Sequence, residues 1–123
     1  MKSNFSMKDV VGDCPFATTQ KILQGKWAIL ILHKLEQGPL RFNQLQRNMP
    51  KITHSTLSIQ LKRLENYGLV KRIEYPQIPP KVEYELTPIG VEFKKVLKSI
   101  SDWGYLYIQS TDTCTLELLK NEK

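Results

Sequence analysis

The 123-residue sequence has only two cysteines, Cys14 and Cys114, and no cluster of cysteine and histidine with the spacing of zinc ligands. We therefore expect neither a disulfide framework nor a structural metal, and no cofactor. The chain also lacks an apolar run of the length and position typical of a signal peptide or a transmembrane helix. We expect one domain with an ordinary apolar core, located in the cytoplasm with reduced thiols and no membrane partner.

Groups suited to catalysis are equally few. Cys14 with His33 or His54 is the only pairing of a nucleophile with a base that the sequence offers. His33 falls in the most apolar stretch of the chain, His54 falls in a turn between two predicted helices, and neither has a third group predicted to orient it. We therefore expect that the protein is not an enzyme.

Positive charge is abundant, and its whole excess lies in one third of the chain. The net charge is +6, and between positions 41 and 81 there are eight basic residues and two acidic ones. The basic residues of this stretch are Arg41, Arg47, Lys51, Lys62, Arg63, Lys71, Arg72 and Lys81. Outside it, ten basic and ten acidic residues cancel. Such a concentrated basic region is typical of a protein that binds nucleic acid.

The periodicity of apolar residues predicts a mainly α fold with a small β-hairpin, an α+β arrangement. Helices are predicted at about 16–23, 27–35, 43–48, 55–67 and 88–109, and strands at 69–75 and 81–86, with a short third strand at 40–42. The helix at 27–35 is apolar on nearly every side, which predicts that most of its surface is buried. Residues 14–110 form the predicted domain, between a flexible arm at 1–13 and a tail or short extra helix at 111–123.

Two short helices, a tight turn and a hairpin together form a winged helix-turn-helix, whose second helix enters the major groove of DNA. Leu57, Leu61 and Leu64 set the buried stripe of that second helix, which Thr53 or Ser55 caps. A helical wheel then gives its outward side. The residues that point most nearly away from the stripe are Ser55, Thr56, Ile59, Lys62, Arg63 and Asn66.

The predicted DNA contacts come from this helix and from basic residues near the hairpin. They are Arg41, Ser55, Thr56, Ser58, Ile59, Gln60, Lys62, Arg63 and Lys81. Arg63 is suited to a bidentate guanine contact or a phosphate clamp, and Ile59 is suited to a thymine methyl group. Lys81 is suited to the minor groove or to a phosphate. For each basic residue, the alternative is an ordinary solvated surface charge.

Short motifs along the chain resemble those of the HxlR-type transcriptional regulators. They are Cys14-Pro15, Gly25-Lys26-Trp27, Gly38 to Phe42, Leu57-Ser58, Leu64 to Val70, Tyr75-Pro76, Pro79 to Tyr84 and Leu86 to Gly90. Together they span about residues 14–105. The resemblance implies a homodimeric winged-helix regulator, related to the MarR group, whose N-terminal and last long helices build the dimer.

The last predicted helix carries more apolar surface than one small domain covers, which agrees with a partner subunit. The predicted dimer contacts are Phe16, Ile100, Trp103 and Tyr107. A two-fold dimer would present its two recognition helices about 34 Å apart, one turn of DNA, to an inverted-repeat operator. We expect a sequence-specific DNA-binding transcriptional regulator, with repression as the expected sign.

The resemblance also implies a role for Cys14, because the cysteine of the Cys-Pro motif senses electrophiles or oxidants in several HxlR-type proteins. As the predicted N-cap of the first helix, its thiol lies at the positive end of the helix dipole, which favours the reactive thiolate. A packing role at the dimer contact is the alternative, and a disulfide between subunits from Cys14 to Cys114 stays open. Two further functions also stay open: regulation by a non-covalent small molecule, and a winged-helix module that binds proteins instead of DNA.

Overall fold

The computed structural model of this chain describes residues 12 and 14–121, with side chains as far as residue 111. Six α-helices and one 3-10 turn lie in that range: α1 (Pro15–Ile22), α2 (Ala28–Lys34), the turn (Leu35–Gln37), α3 (Phe42–Asn48), α4 (His54–Asn66), α5 (Pro88–Glu92) and α6 (Lys94–Asn121). The strands are β1 (Leu40–Arg41), β2 (Val70–Tyr75) and β3 (Lys81–Leu86). The predicted mainly α fold with a small sheet is confirmed.

The described helices and strands divide into two compact units, one ending at Glu92 and the other beginning at Phe93. The first contains the helix-turn-helix, formed by α3 and α4, and the wing, formed by β2, β3 and the loop between them. The second is the long helix α6. No helix among the described residues is both long enough and apolar enough to span a bilayer, and no group of side chains there is arranged to hold a metal ion.

The sheet of the first unit is antiparallel, with the strand order β1-β3-β2. Strands β2 and β3 pair along their full length, as the hairpin prediction requires. Strand β1 covers the other edge of β3, where Arg41 pairs with Glu83. Phe42, which the sequence pattern assigns to this short strand, is instead the first residue of α3. The pairing of β1 therefore brings the start of α3 next to the wing.

Leucine and isoleucine side chains form most of the core of the first unit. Its buried apolar residues are Ala28, Ile31, Leu32, Leu35, Leu45, Met49, Ile52, Leu57, Leu61, Leu64, Leu69, Val70 and Leu86. The stripe predicted for α4 is confirmed, since Leu57, Leu61 and Leu64 are all buried. Burying each such side chain stabilises the fold by roughly 1.5–3 kcal/mol, so this stripe fixes which side of α4 faces outward.

Helix α2 is less enclosed than its sequence predicts. Its buried residues are Ala28, Ile31 and Leu32, whereas Leu30 and His33 are exposed. The helix has only seven residues before the 3-10 turn begins. The buried residues are three and four positions apart and so share one side of the helix, which leaves Leu30 and His33 on the other side.

The starts of α1 and α4 follow the capping signals in the sequence. Cys14 caps α1, and its Sγ accepts a hydrogen bond from the backbone N–H of Ala17 at 3.5 Å. Thr53, and not Ser55, caps α4, because its Oγ1 accepts the backbone N–H of Thr56 at 3.2 Å. These caps determine which residues stand in the first turn of each helix.

The last helix is longer than predicted and begins later. The sequence predicts one helix at 88–109, but α5 ends at Glu92, and α6 continues to Asn121. Residues 111–121 therefore extend α6 and do not form a separate tail or short helix. Positions 105–121 contain neither glycine nor proline, so their weak helix formers do not end the helix. The predicted arm at 1–13 lies, apart from residue 12, outside the described residues.

Candidate nucleic-acid interface

The side of α4 that faces away from its leucine stripe is open to solvent. Four exposed side chains form what we call the outer face of α4: Ser55, Ser58, Ile59 and Lys62. Ile59 is 63% exposed, so it contributes little to the core. The Lys62 ammonium lies 3.8 Å from the Glu65 carboxylate, a surface pair worth about 1 kcal/mol at most. The outer face therefore offers two hydroxyls, one apolar side chain and one cation.

Thr56 belongs to the cap of α4 more than to the outer face. The Thr53 hydroxyl donates to Thr56 Oγ1 at 2.9 Å and accepts the Thr56 N–H. Thr56 is half-buried, whereas Ser55 is exposed. Of the two hydroxyl residues predicted to act at this end of the helix, Ser55 is the one presented outward. The helix dipole there favours an anion such as a phosphate.

Arg63 bonds to another helix of the same chain and is half-buried, although it borders the outer face beside Ile59 and Lys62. Its Nη1 donates to the carbonyl oxygen of Ile22 at 3.0 Å, and its Nη2 donates to that of Lys21 at 2.5 Å. The guanidinium also lies over the ring of Tyr67, 5.0 Å from the centroid. In this structure both terminal nitrogens of Arg63 are therefore engaged within the chain, and the DNA contact predicted for Arg63 stays a prediction. The helical wheel shows the direction in which Arg63 leaves α4, but it does not show that α1 ends beside it.

Gln60 lies on the same flank of α4 as Arg63. It is half-buried, and its Oε1 is buried with no hydrogen-bond partner among the described residues. An unpaired buried acceptor costs roughly 1–3 kcal/mol. Gln60 is thus set back from the outer face, and its placement does not support the predicted base contact.

A basic groove lies between the start of α3 and the start of β3. It has a volume of about 350 Å³ and cations on both walls, with Arg41 and Arg47 on one side and Lys81 on the other. The pairing of β1 with β3 brings these walls together. The groove lies close to α4, since the ring of Phe42 on α3 is 4.6 Å from that of His54 at the start of α4. We call this feature the basic groove.

Of the residues that line the basic groove, only Arg41 and Lys81 are among the predicted DNA contacts, and Asn43 and Arg47 are among those that are absent. The prediction applied a helical wheel to α4 alone. A wheel for α3 places both residues on the side opposite its buried Leu45, so the signal was present in the sequence.

The wing neutralises its own charge. Each of its three cations has a carboxylate partner within the wing: Lys71 lies 3.2 Å from Glu85, Lys81 lies 3.5 Å from Glu83, and Arg72 pairs with Glu74. The hydrogen bond to Glu74 raises the pKa of Arg72 above its already high value. The basic stretch counted in the sequence, residues 41–81, ends before Glu83 and Glu85. Its excess of positive charge is therefore larger than the net charge of the wing.

Lys81 is restrained by two neighbours in the wing. Besides Glu83, the ring of Tyr75 lies against its ammonium, with the centroid 4.8 Å away. The Tyr75 hydroxyl donates to Glu83 Oε1 at 3.0 Å, which raises the pKa of Tyr75. At the tip of the wing, Ile78 is 98% exposed. The wing thus presents an apolar tip, while its cations are engaged with its own side chains.

Cys14 is exposed at the start of α1, where its thiol makes the capping hydrogen bond. Phe16, a predicted dimer contact, is 83% exposed in the first turn of the same helix. The predicted alternative of a disulfide between Cys14 and Cys114 involves the Cys114 side chain, which lies outside the side chains that the structure describes. Exposure makes the Cys14 thiol available to reagents in solution.

Helix α6 has a broad apolar surface that is open to solvent. Ile100, Trp103 and Tyr107, the dimer contacts predicted on it, are all exposed, and the rings of Trp103 and Tyr107 stack with centroids 5.3 Å apart. Four more exposed apolar residues of α6 lie outside the predicted set: Val96, Tyr105, Leu106 and Ile108. Exposed apolar surface of this extent is typical of a face that another molecule covers.

Comparison with known proteins gives consistent results. A family model described as HxlR-like helix-turn-helix matches residues 22–112. The HTH-type transcriptional regulator BH0655 of Halalkalibacterium halodurans is 47% identical over 95 residues, which cover 76% of this chain and 84% of that protein. The solved structure of the redox regulator HypR in its oxidized form is 38% identical with a TM-score of 0.71, and the match covers 75% of this chain and 95% of that one. The solved structure of the diamide-treated YodB of B. subtilis is 33% identical with a TM-score of 0.66, and the match covers 76% of this chain and 94% of that one.

Proposed function

The chain belongs to the HxlR-like helix-turn-helix family of transcriptional regulators, and from this premise we propose that it binds double-stranded DNA sequence-specifically as a homodimer and represses transcription. Membership confirms the resemblance seen in the sequence motifs, and the solved relatives share the winged helix-turn-helix fold. Transcriptional regulators are a non-enzymatic class, so the chain is not an enzyme. We also propose that the protein acts in the cytoplasm.

The observation that carries the proposal is the position of the outer face of α4 beside the basic groove. The leucine stripe holds one side of α4 in the core, so the opposite side is presented as a fixed surface. Cations at the neighbouring groove can bind phosphates on the DNA strand that borders the major groove. A rigid helix flanked by phosphate-binding cations is the geometry that major-groove recognition requires.

Each residue of this surface has a role that suits its chemistry. We assign phosphate contacts to Arg41, Arg47 and Lys62, because cationic side chains neutralise phosphates and release counterions. We assign base contacts to Ser58 and Ile59, the latter to a thymine methyl group that an exposed isoleucine can cover. Further contacts by the outer face and the wing come from three residues: Ser55 on a phosphate at the helix N-terminus, and Lys81 and Ile78 at the wing.

We propose that α1 and α6 build the dimer. The support is the exposed Phe16 on α1 and the exposed Trp103 and Tyr107 on α6. A two-fold axis through such a dimer would set two copies of α4 roughly 34 Å apart, one turn of DNA, which selects an inverted repeat. Trp103→Ala should shift the chain towards monomer in sedimentation analysis, whereas Lys98→Ala, an exposed change on the same helix, should not.

We further propose that an oxidant or an electrophile acts on Cys14 and lowers the affinity for the operator. The thiol is exposed and caps α1, so reagents in solution can reach it. Among the solved relatives, HypR is a redox regulator captured in its oxidized form, and YodB was captured after treatment with diamide. Modification of Cys14 would also alter the acceptor that the Ala17 N–H uses in this structure.

The salt dependence of DNA binding tests the main proposal. The probe is a duplex that the purified chain selects from a random-sequence library, which we call the selected duplex. We expect log affinity to fall with log salt concentration by about 0.9 for each phosphate contacted, and the selected duplex to contain an inverted repeat. A flat salt response, or equal affinity for a scrambled duplex, would contradict sequence-specific DNA binding and would favour a protein partner.

The thiol switch is tested on the native chain and on Cys14→Ser, whose hydroxyl can still cap α1. We expect diamide to lower the affinity of the native chain for the selected duplex and to leave that of Cys14→Ser unchanged. An equal loss in both proteins would exclude Cys14 as the responding group.

A further inference from the structure

The last carbonyl groups of α1 are held by a residue of α4. Arg63 donates to the Ile22 oxygen at 3.0 Å and to the Lys21 oxygen at 2.5 Å, although these residues lie 41 and 42 positions earlier. The Lys21 oxygen also accepts the N–H of Gln24 at 3.3 Å. A helix has no internal partners for the carbonyls of its last turn, so such groups need partners from outside. Arg63 therefore completes the C-terminal end of α1.

An arginine suits this position for a geometric reason. Its two terminal nitrogens belong to one planar group, so together they fix both the distance and the angle between α4 and the end of α1. The ring of Tyr67, four residues after Arg63, has its centroid 5.0 Å from the guanidinium carbon and limits the orientation of that group. The positive charge is favourable at the C-terminal end of a helix dipole. Lysine can supply that charge, but not two donors in one plane.

Helix α1 connects the Arg63 contact to the thiol of Cys14. It has eight residues, so about 12 Å separate its capped start from the carbonyls at its end. Backbone hydrogen bonds along α1 form a continuous link from its first turn to the carbonyls that Arg63 holds.

We propose that Arg63 is a positioning residue that couples α1 to the outer face of α4, so that the state of Cys14 reaches the DNA-binding surface without Arg63 touching DNA. The inference rests on the proposed function, both its DNA binding and its thiol switch. It gives Arg63 a role that follows from its contacts in this structure, in place of the predicted base contact.

A first experiment separates positioning from DNA contact. Arg63→Gln and Arg63→Lys are compared with Lys62→Gln, the neighbouring cation on the outer face, for binding to the selected duplex at several salt concentrations. We expect Lys62→Gln to lower the magnitude of the salt slope by about 0.9 for each phosphate that is no longer neutralised. Both Arg63 variants should bind roughly tenfold more weakly because α4 is less well positioned, and the slope should be unchanged because no phosphate contact is lost.

A second experiment measures the coupling itself, in a Cys114→Ser background that leaves Cys14 as the one thiol. The Cys14 thiolate attacks one sulfur of glutathione disulfide, a mixed disulfide forms, the glutathione S–S bond breaks, and one glutathione thiolate leaves. By linkage, the selected duplex shifts this equilibrium by the same factor by which glutathionylation changes DNA affinity. We expect a factor of roughly 5–150 in the Cys114→Ser chain with Arg63 intact, and a factor near one when either Arg63 substitution is added.

The outcomes are distinct. If Arg63 only stabilises the fold, its variants will melt at lower temperature but keep the native coupling factor, which would overturn the proposal. A reduced salt slope in Arg63→Gln that Arg63→Lys restores would overturn it as well, because charge alone would then suffice. A coupling factor of one in the chain with Arg63 intact would also overturn the proposal.

The failure of the proposed function can be told from the failure of the coupling. A chain that binds no duplex refutes both. A chain that binds the duplex, with the same coupling factor in both Arg63 variants as with Arg63 intact, refutes only the coupling.

Discussion

The helix-turn-helix and the wing are neighbours in sequence and in fold, yet they hold their charges in opposite ways. Residues 41–66 contain five basic residues and one acidic residue, and Arg41 and Arg47 line an open groove. Residues 70–86 contain three of each sign, and each cation there lies against a carboxylate. The two regions therefore differ greatly in the charge that they can offer to DNA.

The difference teaches that the pairing of charges, and not their number, determines which surface attracts a polyanion. The register of β2 and β3 sets Lys71 opposite Glu85, so the strands neutralise each other. On α3, Arg47 points away from the buried Leu45 and into the basic groove. We therefore expect the helix-turn-helix to supply the salt-dependent part of DNA binding, and the wing to supply contacts that depend little on salt.

The largest effect is expected from the core that orients α4. Leu61 is buried in the leucine stripe, and Leu61→Ala should lower the free energy of unfolding by about 2–5 kcal/mol, because apolar burial is removed and a cavity remains. Ile59→Ala, on the outer face, should change it by no more than about 0.5 kcal/mol. Urea denaturation followed by circular dichroism measures both. Equal decreases would mean that the leucine stripe does not orient α4.

The next effect compares one cation from each region. Arg47→Ala should lower the salt slope by about 0.9 for each phosphate that Arg47 neutralises. It should weaken binding to the selected duplex by about 1.5–3 kcal/mol if Arg47 makes a charged hydrogen bond. Lys71→Ala should leave the slope unchanged, because Glu85 already pairs with that ammonium at 3.2 Å. A slope that falls as much in Lys71→Ala as in Arg47→Ala would show that the ion pairs of the wing open on DNA.

A smaller effect is expected at the tip of the wing. Ile78 is almost fully exposed, so its apolar side chain can be covered only by a partner. Ile78→Ser should weaken binding by about 1 kcal/mol, the order of magnitude of partly burying such a side chain, with no change in the salt slope. Gln77→Ser is the matched control and should bind as the native chain does. Unchanged affinity in Ile78→Ser would mean that the tip does not contact DNA.

The leucines of α4 predict which side of the helix faces outward, and Ser55, Ile59 and Lys62 are exposed there as predicted. The other three residues of the helical wheel, Thr56, Arg63 and Asn66, are half-buried. The sequence does not predict the hydrogen bonds from Arg63 to α1, since the end of α1 lies beside this residue only in the folded chain. The restraint on Lys81 was predictable, because alternate residues of a strand share a face and Glu83 follows two positions later. Contacts within one helix or strand are thus readable from periodicity, whereas contacts between distant segments require the fold.

The smallest effect is expected from pH, and it is confined to the wing. The hydrogen bond that Tyr75 donates to Glu83 raises the pKa of Tyr75, because ionisation removes the donated proton. The folded chain therefore keeps this proton to a higher pH than the unfolded chain, whose tyrosines titrate near about 10. This contribution to stability is fully present below about pH 10 and is lost as the pH rises through the folded pKa. The urea midpoint should fall more between about pH 9 and about pH 11 in the native chain than in Tyr75→Phe; parallel curves would contradict a stabilising pair.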